Sequence, residues 1–410
     1  MAETAKWKQP YHQARRILAK FWLKLHPGVK VVGITGSYGK TNTTRAIAIV
    51  LAEKYKTLQT DINLDTNFNL PITLLKLRKQ HQKLVLEYGV DHRGEMDAHL
   101  RLVKPTIAVI TGINPTHAEP ELLGSLTGVI GEKTKMLRAL TKNDLAIFNW
   151  DDKKVRLMVK KTQAKIVTYS NLGRADFWAD QIKISLKEMT FVLHHQDKKI
   201  KVKTGLIGRH FVQNCLAAAA VGRAEGLSWR QIRAGLSRLR PLKGRLNLEK
   251  GPRGSILIND ALRANPASTL AGLRLLADLP TKGRRIAVLG EMGELGEMVE
   301  EEHRRIGREL AKLKIDFLVS VGPLQKFTSQ EAQKSGLKKE RVFWVENVVQ
   351  AAEVLKKILG KGDLFYLKGS LLRHLERILL LLRNQKISCR AISCHYYQQC
   401  SACPNLQKNL

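Results

Sequence analysis

"VVGITGSYGKTNTTRAIAIVL", residues 31–51, decides the fold. A β-branched apolar run stops at Gly36, Gly-Lys-Thr follows, and a helical pattern begins. A loop that leaves a buried strand and opens a helix presents unpaired backbone N–H groups to an anion, and the helix dipole strengthens the attraction. Gly36 and Gly39 let the backbone come close, with Ser37 and Tyr38 between them. Lys40 supplies a point charge for β- and γ-phosphates, and Thr41 a hydroxyl for Mg²⁺. Ile34 stands where the generic phosphate loop has its first glycine, flanked instead by Gly33 and Gly36. Strand before and helix after favour a nucleotide site over a chance glycine-rich turn.

Working outward, "KLVLEYG", "TIAVITGI", "LAIFNWD" and "KIVTYS" are short apolar runs with helical patterns between several of them. Strands buried on both faces read this way, and their alternation with helices predicts a doubly wound α/β domain. Residues 176–204 switch to polar/apolar alternation, which predicts an antiparallel hairpin attached to the parallel sheet. A second α/β series starts near residue 250 with "GSILINDA", "RRIAVLG", "DFLVSVG", "RVFWV" and "DLFYLKGS". The Pro/Gly/Arg-rich "RPLKGRLNLEKGPRG", residues 240–254, reads as the linker between domains. The expected organisation is a basic helix in residues 1–30, a central P-loop ATPase-type doubly wound domain in 31–245, a smaller Rossmann-like α/β domain in 246–386, and a Cys-rich tail in 387–410.

The 410 residues suffice for two or three domains with their own cores. No apolar run is long enough for a bilayer span, and the N-terminus lacks the apolar region of a secretion signal, so a cytoplasmic location is expected. Lys and Arg number 70 against 36 Asp and Glu, a formal charge of +34. Such an excess suits nucleic acid, an anionic membrane or anionic substrates, and equally a set of solvated helix faces. The basic residues are spread along the chain with no recognised nucleic-acid module, so nucleic acid is not the expected partner and the charge carries no functional assignment.

Further motifs follow the loop in order: "VLEYGVDHRGEMDAHLRLVKPTIAVITGINPTHAE", "FNWDD", "GRHFVQNCLAAAAVG", "LKGRLNLE", "INDALRANPAST", "RRIAVLGEMGELGEMVEEEH" and "DLFYLKGS". With "TGSYGKT", this series resembles the Mur ligase family over roughly residues 31–380. The last three motifs are most similar to the branch that adds D-alanyl-D-alanine to a UDP-sugar tripeptide. The resemblance implies an ATP- and Mg²⁺-dependent amide ligase of peptidoglycan precursor synthesis, with two metal ions and an acyl-phosphate intermediate. Its substrates would be an acidic nucleotide-sugar peptide and D-alanyl-D-alanine.

Carried over residue by residue, the resemblance implies Lys40 on the phosphates and Thr41 and Glu87 on one Mg²⁺. It implies His117 on a second Mg²⁺, and Lys133 as the lysine that CO₂ carbamylates into a metal ligand. Asn214 would touch adenine, Arg245 the phosphates and Asp260 the ribose. The chain departs from the branch pattern at Lys135, where a glutamate is usual, and at Asn259, Leu262 and Arg263. Only about 30 residues precede the loop, too few for the UDP-sugar-binding domain that the branch carries there. A partner supplying that domain, a ligase for a folate or poly-γ-glutamate acceptor, and a non-catalytic basic binding protein are the alternatives.

Four of the five cysteines lie in the tail, as C-x4-C-H-x4-C-x2-C. Cys215, in an alanine-rich helical stretch, reads as a buried structural thiol. Clustering in a cytosolic chain favours a metal over disulfides. Cys389, Cys394, Cys400 and Cys403, with His395, form a candidate zinc site; a reactive or unstructured tail is the other reading.

Overall fold

The computed structural model describes residues 9–61, 66–115, 118–293, 295–389, 391, 393, 394, 396 and 400–406. They form two compact units. The first comprises the chain up to Lys183 with Met189–Leu206 and His210–Leu239; the second comprises Ile184–Glu188, Ile207–Arg209 and the chain from Arg240.

Nine strands form the first sheet: β1 (Lys30–Thr35), β2 (Thr57–Gln59), β3 (Lys83–Glu87), β4 (Ile107–Ile110), β5 (Leu145–Asn149), β6 (Lys165–Ser170), β7 (Phe177–Ile184), β8 (Met189–His195) and β9 (Lys198–Thr204). Their order is β2-β3-β1-β4-β5-β6-β7-β8-β9. Pairing is parallel from β2 through β7, and β8 and β9 run antiparallel. The stretch read as a hairpin is therefore three strands, the first of which extends the parallel sheet. Period-two alternation marks a half-buried strand but not its partner, so it could not give this pairing. All four residues of β4 are buried, as its unbroken apolar sequence requires.

The second sheet has the order β10-β11-β15-β12-β13-β14. Its strands are β10 (Asn247–Lys250), β11 (Ile256–Asp260), β12 (Arg285–Gly290), β13 (Phe317–Val321), β14 (Val342–Val345) and β15 (Leu364–Lys368). All pairs are parallel except β10 with β11. β10 lies inside the stretch read as a linker, where its polar "NLEK" gave no strand signal. Each unit has its own apolar cluster, around Leu84, Ile110 and Phe148 in the first and Val288, Phe365 and Leu367 in the second.

The basic N-terminal helix spans Gln9–Lys24 within the described residues. The Trp22 indole donates to the Leu77 carbonyl at 3.1 Å and Arg16 to the Ala98 carbonyl at 2.7 Å, fixing one face on the first unit. No helix is long and apolar enough to cross a membrane among the described residues.

A buried ion pair joins the start of β3 to the end of the helix Phe211–Ala224. Lys83, 4% exposed, meets the Glu225 carboxylate, its ammonium 4.4 Å from the Tyr55 ring centroid. The Tyr55 hydroxyl donates to the Glu225 carbonyl at 2.7 Å. Removing one partner strands the other charge out of water, so Glu225→Ala should destabilise the first unit by about 3–5 kcal/mol. Urea unfolding monitored by tryptophan fluorescence measures this; a loss below about 1 kcal/mol would mean that water reaches Lys83.

Candidate active site

β1 lies between β3 and β4, so connections leave the sheet in both directions at its carboxyl end. Open α/β sheets form their ligand crevice at such a point. Residues 36–39 follow β1, and the helix Lys40–Leu51 begins at the lysine. Gly39 takes φ 80° and Gly36 φ 151°. A Cβ on Gly36 would sit 2.1 Å from Thr111 Oγ1, so no side chain fits there. Gly36 is thus required by contact with the segment after β4, and Gly39 by its left-handed backbone.

That second segment was quoted as a strand and within a motif, but given no part in holding the loop. Ser37 N–H donates to the Gly112 carbonyl at 2.6 Å, and Thr111 Oγ1 to the Tyr38 carbonyl at 2.5 Å. Asp152 then closes the arrangement: one carboxylate oxygen accepts from Tyr38 OH at 3.1 Å and Ile113 N–H at 2.8 Å. Its other oxygen caps the helix Lys153–Met158. Burial, reinforced by Asp152, raises the Tyr38 hydroxyl pKa, so Tyr38 stays a neutral donor. "FNWDD" was the available signal, an aspartate directly before a helix.

A Cβ on Gly112 would stand 2.2 Å from the Tyr38 ring. Gly112→Ala should therefore expel Tyr38 and lower nucleotide affinity about tenfold, or 1.4 kcal/mol. Titration with ATP by calorimetry tests it; unchanged affinity would remove the clamp from the nucleotide site.

Lys40 is half-exposed, and its ammonium donates to the Gly36 carbonyl at 2.9 Å, folded back over the loop. Glu87, half-buried at the end of β3, pairs in register with Ile34, two residues before Gly36. Its N–H is held by Thr60 Oγ1 at 3.1 Å. Thr41 is the second residue of the helix Lys40–Leu51, half-buried. Asn214 donates from its amide to Thr43 Oγ1 at 2.6 Å, tying the helix Phe211–Ala224 to the helix after the loop. His117 lies outside the described residues.

Lys133, 1% exposed, sits within the helix Leu126–Arg138. Burial lowers its ammonium pKa to about 7, and Lys40 pushes the same way, while Asp91, Glu132 and Glu87 oppose. Charged groups from three separate stretches of sequence, Lys40, Glu87 with Asp91, and Glu132, thus act electrostatically on Lys133. Asp91 is a member that sequence reasoning missed. Lys135 has its own partners, Asp97 at 2.5 Å and Glu132 at 2.7 Å, so the departure at this position forms an ion-pair network.

In the second unit, Asp260 accepts from Lys368 at 2.7 Å and Tyr366 at 3.0 Å, all three buried. Burial raises the Asp260 carboxyl pKa and lowers that of the Lys368 amine, each opposed by the other's charge. Arg245 adds a positive field to both. Lys368 belongs to "LKGS", quoted as a motif but given no role. The departures at Asn259 and Leu262 have local causes. The Asn259 amide donates to Glu249 at 2.8 Å, where an acid would face a like charge, and Leu262 packs against Gly244. Nothing in the structure explains Arg263.

The four tail cysteines do not assemble as a ligand set among the described residues. Cys400 groups with His374 and Glu376, while Cys389 lies against Arg377. His395 is outside the described residues.

Two family matches agree with this division: the Mur ligase middle domain over residues 34–222, and the Mur ligase, glutamate ligase domain over 244–371. The chain is 32% identical to the UDP-N-acetylmuramoyl-tripeptide–D-alanyl-D-alanine ligase of Bacillus subtilis, over 90% of this chain and 79% of that one. The MurF crystal structure from Acinetobacter baumannii superposes with a TM-score of 0.82 at 28% identity, covering 91% of this chain and 81% of the other. The MurF ligase of Thermotoga maritima in complex with ADP, at 24% identity and a TM-score of 0.78, shares the fold.

Proposed function

We propose, from the premise that this chain belongs to the Mur ligase family, that it joins D-alanyl-D-alanine to a UDP-N-acetylmuramoyl-tripeptide in peptidoglycan precursor synthesis. It is an ATP-dependent ligase that forms an amide bond. A carboxylate does not condense with an amine at neutral pH, so the acceptor carboxylate first attacks the γ-phosphorus of ATP. The acyl phosphate forms and ADP leaves. The dipeptide amine then attacks the acyl carbon, loses its proton and expels phosphate.

The chain's residues take roles matched to that charge flow. Backbone N–H groups of residues 38–41 and the Lys40 ammonium receive the phosphate charge, held in place by the Tyr38–Asp152 clamp. Asn214 and, in the second unit, Arg245 and Asp260 are the proposed contacts to adenine, phosphates and ribose. The donor set fits Mg²⁺: Thr41, Glu87 and a carbamylated Lys133 are hard oxygen ligands. His117 is the proposed ligand of a second ion. Bound Mg²⁺ would polarise the phosphoryl oxygens and offset their charge.

The observation that carries this reading is the buried Lys133 amine, held near neutral pH beside Lys40 and Glu87. A protein that merely bound an anion would gain nothing by burying a lysine until its pKa falls to about 7. The test is ADP release by the purified chain with Mg²⁺-ATP, the UDP-sugar tripeptide and D-alanyl-D-alanine. Turnover requiring both acceptor and dipeptide is expected. ADP formed only with a folate or poly-γ-glutamate acceptor would keep the chemistry and move the substrate. No turnover with any acceptor would overturn the reading.

A further inference from the structure

β15 ends at Lys368, and a short 3₁₀ turn, Leu371–Arg373, follows. His374 then takes a left-handed conformation, φ 46° and ψ 48°, uncommon for a residue with a side chain. Its side chain is completely buried. Nδ1 lies 2.8 Å from Glu376 Oε1, and Nε2, also buried, has no hydrogen-bond partner. Cys400, 6% exposed, donates its backbone N–H to the same Glu376 oxygen at 3.1 Å. A ring nitrogen of His374, a Glu376 oxygen and the Cys400 sulfur lie within 4.8 Å of one another. Cys403 follows on the next turn, its N–H donating to the Cys400 carbonyl at 3.0 Å.

We propose that His374, Glu376 and Cys400, joined by Cys403 from the adjoining turn, bind a zinc ion that fastens the C-terminal tail to the segment following β15. Zinc accepts nitrogen, oxygen and sulfur in one tetrahedral shell, and a Cys-x2-Cys turn supplies two of its ligands in many structural sites. Nδ1 is the ring nitrogen that faces Glu376, so it is the one the ion would take, replacing the hydrogen bond between them. On binding, each thiol loses its proton to solvent as its sulfur–zinc bond forms.

The other two cysteines are excluded by their neighbours. Cys389 lies against the buried Arg377 guanidinium, whose Nη1 is 3.6 Å from the sulfur and 3.3 Å from the Cys389 carbonyl. A cation already occupies that side of the thiol and would repel a metal. Neither Cys394 nor Cys403 belongs to the His374 group as it stands; Cys403 is the one on the Cys-x2-Cys turn that carries Cys400, whereas Cys394 is tied through its N–H to the Leu372 carbonyl at 2.9 Å. The expected ligand set is thus two cysteines, not four, with a histidine and a glutamate lying well before the tail.

The experiment is metal analysis of the full-length chain, purified without chelator, followed by Co²⁺ substitution. One zinc per chain is expected, and the Co²⁺ form should show a thiolate-to-cobalt charge-transfer band with intensity for two thiolates. Cys400→Ser and Cys403→Ser should each lower zinc affinity by roughly 100-fold or more. Cys389→Ser and Cys394→Ser should leave it unchanged. Asn tolerates the left-handed backbone, so His374→Asn removes the ring without forcing the turn to refold. It should change the cobalt d–d bands. Zinc far below one per chain, a spectrum for four thiolates or none, or loss of zinc in Cys389→Ser or Cys394→Ser would each overturn the assignment. The wild-type Co²⁺ spectrum decides the case even if a variant fails to fold.

Discussion

Lys40→Ala is expected to cut acceptor-dependent ADP formation by about 10³-fold while leaving the melting temperature nearly unchanged. The Lys40 ammonium is already folded over the loop, 2.9 Å from the Gly36 carbonyl, so its charge stands in place before nucleotide arrives. A charge fixed in advance needs no reorganisation as negative charge moves onto the phosphates, and a single preorganised donor contributes on the order of 10²–10³ in rate. The side chain is half-exposed and has no place in the apolar core, so folding should tolerate its loss. Lys40→Arg should restore little, because a planar fork cannot replace a compact point charge at this contact. Steady-state ADP release and a circular-dichroism melt, run on the same preparations, separate the two effects. More than about a tenth of the wild-type rate in Lys40→Ala would place phosphate stabilisation elsewhere.

Lys133→Ala should lower turnover by roughly 10²–10³-fold, with partial recovery on adding acetate or formate. The recovery follows from the chemistry: a carbamate is a carboxylate-like anion, and a small carboxylate can enter the space that the alanine opens. An ordinary lysine, pKa near 10.4, has only about a thousandth of its amines neutral near pH 7. With its pKa lowered to about 7, Lys133 is about half neutral there and can attack CO₂, forming an N–C bond and releasing a proton. Activity should therefore fall about tenfold between pH 8 and pH 6, with a midpoint near 7, and rise with added bicarbonate. Activity independent of bicarbonate, with no carboxylate rescue, would leave Lys133 a structural lysine.

The same lysine gives a stability prediction of definite sign. Its folded pKa is depressed, so between about pH 7 and the unfolded value of 10.5 the unfolded chain binds more protons than the folded one. Its burial penalty is complete below pH 7 and is relieved as pH rises through that window. Lys133→Met should therefore raise the melting temperature at pH 6, have a smaller effect at pH 9, and be inactive at both. A melting temperature lowered at pH 6 would show that the charged lysine is well paired in the fold.

The site was legible where chemistry follows a local pattern. The phosphate loop needs glycines, a lysine and a threonine in one short stretch between strand and helix, and all of it is visible in residues 31–51. The parallel strands were legible for a related reason, since burial on both faces requires unbroken apolar runs. The clamp on the loop was not, because Thr111, Gly112 and Asp152 reach Tyr38 and Ser37 from distant segments. β10 was hidden because its edge position lets polar residues serve as a strand. The tail gave its cysteines but not their partners, as His374 and Glu376 precede Cys400 by more than 20 residues.

By itself, the amino-acid order determined two α/β units, a glycine-rich loop between a buried strand and a helix, and the family to which they belong, because periodicity and motif spacing are properties of neighbours along the chain. Tertiary structure alone decided that Lys133 is buried with Lys40, Glu87, Asp91 and Glu132 around it, that β7 joins the parallel sheet, and that Cys400 faces a buried histidine. The physical reason is that a pKa, a strand partner and a ligand set depend on dielectric and distance. Both are set by which distant segments pack together, and no local window of sequence contains them.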